Sequence, residues 1–195
     1  MTASSSCRLL FVGDTHGFLD DMAVLRRVII TTAPAYVLAE QLQEVSLRTP
    51  AEYAAVRRRK RLSATVSIAE IQPLINLCQE RGIALIGIDL QNFGFTPHLL
   101  RVVSGDCPPT PADKKALRRL ATRRERHQRA MINRYAKRST LPVVVIIGAW
   151  HLRTGSPLLK GLHHSTLIIP VDAAGNLLVE PPMNGTAHFR EQVIP

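Results

Sequence analysis

The sequence predicts an α/β protein built on a mostly parallel sheet. Short aliphatic runs alternate with segments of helical periodicity, and parallel strands need such crossover segments to return to the same edge. Two of these runs, residues 9–12 and 143–147, each end at a glycine, which is typical of a buried strand. The chain has 195 residues and 46% hydrophobic content, enough for one core. We therefore expect a single domain, residues 1–195, with helices on both faces of the sheet.

The first half of the chain predicts three strands and two helices. Apolar residues recur at helical spacing over residues 19–31, and Pro34 ends that pattern. Ser67 and Glu70 have the spacing of a capping box and begin a second helix, which Gly82 ends. The strands are expected at residues 8–13, 35–39 and 83–88.

The second half predicts a long basic helix followed by further strands. A loop rich in Gly and Pro, residues 92–111, leads into the helix, which is expected over residues 111–137. Strands are expected at residues 142–148 and 166–171. Residues 176–179, after an Ala-Ala-Gly turn, are expected to form a further strand at an edge of the sheet.

The charge of the chain favours an anionic partner. The formal net charge is +10, and the positive residues concentrate at 57–61 and 114–138. The first cluster lies in a polar stretch that is expected to be a helical excursion or a lid, and it could also be a docking patch. The sequence contains no zinc-finger or P-loop pattern, so sequence-specific recognition of nucleic acid is not expected.

Cysteine usage and hydropathy point to the cytoplasm. Cys7, Cys78 and Cys107 are odd in number and lack metal-ligand spacing, which is typical of reduced thiols. The N-terminal apolar run is too short for a signal peptide, and no apolar stretch approaches the roughly 18 residues of a membrane span. The oligomeric state is left open.

One short pattern, Gly-x-x-His, occurs twice in the same context. Gly13-x-x-His16 follows the first predicted strand, and Gly148-x-x-His151 follows the fourth. Glycine lets the chain turn sharply at the strand tip, and the histidine can then point into the crevice above the sheet. An imidazole at such a place can bind a metal or carry a proton near neutral pH. The two motifs together predict a shared site.

Two carboxylates are expected at the same edge of the sheet. Glu40 and Asp89 each follow a predicted strand, although an Asp there can also cap a turn. Asp14 and His16 could face one crevice and, with Glu40 and His151, form a nitrogen and oxygen ligand set for Mn, Co or Zn. Without a metal, either histidine could act as general base with Glu40 as its partner.

These features resemble a known superfamily. In chain order they are Gly13-x-x-His16, Glu40, the stretch Arg124-Glu125-Arg126, and Gly148-x-x-His151. This order resembles the superfamily of TraB/PrgY, Tiki, ChaN-like haem-binding and erythromycin esterase-like proteins. The resemblance implies an α/β core that hydrolyses an amide or ester bond of a small molecule or peptide, metal-dependent in Tiki-like members, or binds haem in ChaN-like ones. By motif match, the implied site residues are His16, Glu40, Arg126 and His151, with the arginine stabilising an anion.

Two other interpretations remain open. Residues 12–17 also resemble the first motif of calcineurin-like metallophosphoesterases, but the segments that would supply a bridging ligand and the second-metal ligands are missing. The third interpretation is a non-catalytic module that uses its basic surface to hold nucleic acid or another anionic partner.

Overall fold

The computed structural model describes residues 9–15, 19–162, 165–180 and 188–194. Within them, seven strands form one sheet in the order β3-β4-β2-β5-β1-β6-β7. The strands are β1 (Leu9–Asp14), β2 (Tyr36–Ala39), β3 (Ser46–Leu47), β4 (Ala84–Gly87), β5 (Val143–Gly148), β6 (Thr166–Val171) and β7 (His188–Val193). The helices are α1 (Leu19–Thr32), α2 (Pro50–Arg57), α3 (Ile68–Glu80), α4 (Pro97–Val103) and α5 (Pro111–Ala136). Three short 3-10 turns are Glu40–Leu42, Gln91–Gly94 and Ala149–Leu152.

The five central strands run parallel. β2 pairs with β4 and β5, and β1 pairs with β5 and β6, all in the same direction. The two edge strands, β3 and β7, are antiparallel to their neighbours. The predicted α/β class with a mostly parallel sheet is therefore confirmed.

Alternate residues of the central strands pack into two separate apolar clusters. Leu10 and Val144 belong to the cluster that α1, α2 and α3 cover. Phe11 and Val145 belong to the other, which includes Ile132 of α5. Because successive side chains of a strand point to opposite faces, helices cover both faces of the sheet, as the sequence predicts.

The helix caps follow the local sequence closely. The hydroxyl of Ser67 accepts a hydrogen bond from the Ala69 amide at the start of α3, and the Glu70 carboxylate accepts one in return from the Ser67 amide. The predicted capping box is therefore confirmed. Gly82, just after α3, has φ of +64°, a conformation that glycine adopts without strain.

The structure corrects two sequence predictions. Residues 176–179 do not form a strand: Leu177 makes one isolated bridge to Val171, and β7 pairs with β6 instead. The stretch 92–111 is not all loop, because Thr96 caps the short helix α4. The helical excursion that was one expectation for the polar stretch before α3 is present as α2, which ends at Arg57, where the arginine cluster begins. β7 is largely exposed, so its sequence has no apolar pattern that would predict a strand. The strand is defined by its main-chain pairing with β6.

The cysteines that the structure describes are free thiols. Cys78 is buried in the core, where burial raises its pKa to about 12, and Cys107 is half-buried. Cys7 lies outside the described residues. None of the helices described here has both the length and the apolar character needed to cross a bilayer.

Candidate active site at the carboxyl edge of the sheet

The carboxyl ends of β1, β2 and β5 meet at a pocket of about 230 Å³. Parallel pairing sets this meeting point, because Asp14 lies opposite Gly148 and Ala39 lies opposite Ile146. Residues that follow these strands therefore begin at nearly the same level of the sheet. The pocket is lined by Asp14, Glu40, Phe93, Arg124, Gly148, Ala149, Trp150, His151 and Val179.

Glu40 is a buried carboxylate with a donor at each oxygen. Its Oε2 accepts a hydrogen bond of 2.6 Å from the Gly148 amide. Its Oε1 accepts one of 2.5 Å from Nη2 of Arg124 and lies 3.4 Å from Nε2 of His151. Burial raises the pKa of Glu40, but hydrogen bonding to His151, the charges of His151 and Arg124, and the Gly148 amide together lower it to about 2. Glu40 is therefore ionised at neutral pH.

The ring of His151 lies between two carboxylates. The 3-10 turn after β5 carries His151 into the edge of the sheet, where the residue is only 5% exposed. Its Nδ1 lies 3.1 Å from Oε1 of Glu125, and its Nε2 faces Glu40. Because a neutral imidazole carries one N–H, it can donate to only one of these carboxylates, whereas a protonated ring donates to both. The geometry suits a residue that accepts and releases a proton.

Glu125 of α5 holds the far side of the histidine ring. It is 1% exposed, and its Oε1 also accepts hydrogen bonds from Nη1 of Arg153 at 2.7 Å and from Oγ of Ser156 at 3.3 Å. A charged donor and a hydroxyl thus compensate a carboxylate that water cannot reach. The orientation of His151 is set by a buried network that extends beyond the pocket.

Arg124 links Glu40 to a second buried carboxylate. Its Nε and Nη2 bind Asp89 at distances of 2.6 to 3.2 Å, and Asp89 is fully buried. Gln128, one turn further along α5, donates to the same carboxylate at 2.7 Å. The guanidinium carbon also lies 4.7 Å from the centre of the Phe93 ring. Arg124 is therefore a fixed positive charge that lines the pocket.

The loop after β2, which begins at Glu40, has an unusual backbone conformation at Gln43. Gln43 has φ of 55° and ψ of −121°, a conformation that non-glycine residues seldom adopt. Its side chain accepts a hydrogen bond from the Asn92 amide and donates one to Thr65. A Cβ on Gly87 would lie 2.0 Å from the carbonyl oxygen of Gln43. Strain of this kind persists only where the surrounding contacts leave the backbone no alternative conformation. Such positions are common at functional sites.

Trp150 forms an aromatic wall of the pocket. Its ring meets the ring of His151 edge-on at 5.2 Å, and the residue is 42% exposed. The guanidinium of Arg153 stacks on the indole at 3.4 Å. The indole is thereby held in place while it remains accessible to a ligand.

The structure brings together three of the residues predicted from sequence. Asp14, Glu40 and His151 all line the pocket, and Gln41 donates a hydrogen bond to Asp14 at 2.5 Å. Asp89, also expected at this edge, reaches the pocket residues through Arg124 and in addition caps its own turn through the Leu90 amide. His16 lies outside the described residues.

Arg126, the predicted anion stabiliser, does not join this cluster. Arg126 is exposed and lines a different cleft. Arg124 is the arginine of this stretch that lies beside Glu40. Two residues along a helix turn the side chain by about 200°, so only one of the pair can face the sheet. Arg124 is spaced by multiples of four from Leu120, Gln128 and Ile132, which are all buried, so it lies on the face of α5 that packs against the sheet.

Glu125 is a site residue that sequence reasoning missed. The prediction considered this stretch for its arginines, and a glutamate on a basic helix has the pattern of a solvated ion pair. Its partners, Arg153 and Ser156, lie beyond β5 and reach it only through the tertiary fold. No local pattern in the sequence marks such a contact.

The described donors do not fit the expected divalent metal. Across the described ranges, no group of three or more His, Cys, Asp or Glu side chains is arranged to hold one. Glu40 already accepts from Arg124 and Gly148, so a cation bound there would lie beside a guanidinium. A site of Mn, Co or Zn that includes His16 stays a prediction.

Fold and pocket together define the class: an α/β protein with a buried carboxylate–imidazole–arginine cluster at the carboxyl edge of a parallel sheet. No family model matches the chain, and no curated protein matches it. One solved structure, described as that of the type III effector HopBA1, is similar over 76% of this chain and 70% of that chain. It has a TM-score of 0.46 and 19% sequence identity. A function is therefore inferred from the chemistry of the pocket residues.

Proposed function

We propose that the chain is a hydrolase that cleaves an ester or amide bond at this pocket. The observation that carries the proposal is the placement of the His151 ring between Glu40 and Glu125, beside the guanidinium of Arg124. The paired Gly-x-x-His motifs and their resemblance to the superfamily of TraB/PrgY, Tiki, ChaN-like and erythromycin esterase-like proteins support the same class of reaction.

In this proposal His151 is the general base. Glu125 accepts a hydrogen bond from Nδ1–H of the neutral ring, which leaves the lone pair of Nε2 to take a proton from a water molecule that attacks the substrate carbonyl. The imidazolium formed then donates from Nε2 to the ionised Glu40, so the proton transfer is favoured electrostatically. His151 returns the proton to the leaving alcohol or amine when the carbonyl–heteroatom bond breaks.

Arg124 supplies positive charge for the developing oxyanion. Its guanidinium lines the pocket and is held by Asp89 and Glu40, so it need not reorganise during the reaction. His16, which follows Asp14 at the end of β1, is expected at the same edge as a second imidazole. The proposed reaction uses only these side chains.

The size of the pocket limits the substrate. Its volume of about 230 Å³ is below the roughly 300 Å³ at which sites for drug-sized ligands begin. We therefore expect a small acyl group, or one end of a longer molecule or peptide, to enter beside Trp150.

A hydrolysis assay with short p-nitrophenyl esters and the corresponding anilides tests the proposal. The expected result is turnover that survives treatment with a chelator and is lost in His151→Ala. His127→Ala is the matched control, because His127 lies on α5 and does not line the pocket. Turnover that persists in His151→Ala would refute the assigned base, and a strict need for added Mn, Co or Zn would refute the metal-free chemistry.

The other interpretations stay predictions from sequence. Haem binding would give a Soret band on titration with haem, and a metallophosphoesterase would release p-nitrophenol from p-nitrophenyl phosphate once metal is added. A binding module would hold nucleic acid with strong salt dependence and would hydrolyse none of these substrates.

A further inference from the structure

A second and larger cleft, lined by a different set of residues from the candidate active site, lies beside α5. It has a volume of about 600 Å³ and lies between α5 and the turn that follows the 3-10 segment after β5. Three of its lining residues are cations, namely Arg126, Arg129 and Lys160. Ser156 lines the cleft and donates to Glu125, which in turn contacts His151 of the pocket.

Among the described residues, none that lines this cleft is acidic, so none of them neutralises its positive charge. The nearby Glu125 is 1% exposed and already accepts from Arg153 and His151. Arg126 is exposed and lines the cleft. It makes no hydrogen bond or ion pair with any other residue that the structure describes. Clustered cations that repel one another are stabilised when an anion binds between them.

Arg129 is oriented by the protein backbone. Its Nη1 donates to the carbonyl oxygens of Pro157 at 3.3 Å and Lys160 at 3.5 Å. Both contacts use the same nitrogen, so within the described part of the chain the edge formed by Nε and Nη2 has no partner. That edge has the parallel donors that bind two oxygens of a phosphate or carboxylate. A guanidinium held in this way loses little conformational entropy on binding.

We propose that this cleft is a binding site for the phosphate group of a small phosphorylated molecule. Three cations match the charge of about −1.5 to −2 that a phosphate monoester carries at neutral pH. A concave cleft of about 600 Å³ accommodates the phosphate together with the group that it is attached to. The site is separate from the candidate hydrolase pocket and does not depend on the function proposed for it.

Calorimetric titration of the full chain with inorganic pyrophosphate, at constant ionic strength, tests the proposal. The wild-type protein should bind one equivalent saturably. Arg126→Ala combined with Lys160→Ala should weaken the affinity by about tenfold or more, since it removes two of the three charges. Both residues are exposed, and the Arg129 contacts use main-chain oxygens, so the fold should be retained, which far-UV circular dichroism checks.

Arg119→Ala combined with Arg123→Ala is the charge-matched control. Both arginines are exposed on the same helix and do not line the cleft, so the affinity should change by less than about twofold. Arg129→Lys keeps the charge but removes the two-donor edge, and it should also weaken binding. Equal losses in the two double variants, or no saturable binding to the wild type, would overturn the proposal in favour of diffuse surface charge.

Discussion

Oε1 of Glu40 lies 3.4 Å from Nε2 of His151, although the two residues follow different strands. The contact exists because β2 and β5 are parallel neighbours, so that the residues after their last paired positions emerge at one edge of the sheet. The same contact contributes to the lowered pKa of Glu40. Stability and the proposed chemistry therefore both depend on this pair.

Replacing Glu40 with Gln should destabilise the protein strongly. The substitution leaves Arg124 and His151 facing a neutral amide in a buried environment, and breaking a buried ion pair typically costs about 3 to 5 kcal/mol. Urea unfolding at neutral pH measures the change. Glu44→Gln is the control, because Glu44 is exposed and should alter the free energy of unfolding by less than about 0.5 kcal/mol. Similar values for the two variants would contradict the buried pair.

The stability contributed by Glu40 should depend on pH in a defined direction. Its pKa falls from 4.5 to about 2 on folding, so the contribution is fully present above the unfolded value and is lost as the pH falls towards 2. The free energies of unfolding of wild type and Glu40→Gln should therefore converge, by on the order of 3 kcal/mol, as the pH is lowered through this range. Both proteins contain the other carboxylates, so the contributions of those groups to the pH dependence cancel in the difference between the two free energies. A difference that does not change with pH would contradict the lowered pKa.

His151→Ala should abolish hydrolysis while the fold persists. Removal of a general base usually lowers kcat by about 10² to 10⁴-fold. The far-UV circular dichroism should stay as in the wild type, because the sheet is stabilised by apolar clusters on both faces. We expect the same outcome for His16→Ala. Loss of the native spectrum in either variant would show that the histidine is structural.

Arg124→Lys should impair both stability and turnover even though the charge is kept. A lysine cannot bind Asp89 with two nitrogens and Glu40 at the same time, as the guanidinium does. We expect a loss of about 2 kcal/mol in urea unfolding and a lower kcat. Arg123→Lys, at an exposed neighbouring position, should have no effect on either measurement. Equal behaviour of the two variants would contradict the role assigned to Arg124.

Gly87→Ala should destabilise the loop that holds Glu40. The new Cβ would lie 2.0 Å from the carbonyl oxygen of Gln43, so the backbone would have to move, at a cost of at least about 2 kcal/mol. Gly161→Ala is the comparison, since its φ of +77° is strained for alanine but no atom of the described residues lies within 4 Å, and about 1 kcal/mol is expected. Thermal unfolding measures both. A smaller effect at Gly87 would show that the loop after β2 can shift.

Local pattern predicted most of the fold because the central strands are continuous aliphatic runs. β1 and β5 are buried along their whole length, so their composition alone indicates strands. Ser67 and Glu70 likewise marked the start of α3, since a capping box is an interaction between near neighbours. β7 escaped prediction because its exposed, charged residues carry no such pattern.

The site was predicted only in part. The meeting of Glu40 and His151 at one edge was predicted because strand ends of a parallel sheet converge, a rule that needs no coordinates. The choice of Arg126 over Arg124 was wrong in placement, because α5 is polar around most of its circumference and its buried face includes Arg124 and Gln128. An apolar stripe would have shown which side of the helix faces the sheet.

The sequence by itself determined the α/β class, the strands that carry the site and the carboxylate and imidazole at their ends. These depend on interactions within a short segment or on a general rule of parallel sheets. Only the tertiary structure decided that Arg124 faces Glu40, that Glu125 holds His151, and that Arg126 lies in a separate cleft. The physical reason is that these contacts join distant segments, and their energies depend on burial and helix rotation, which no local pattern encodes.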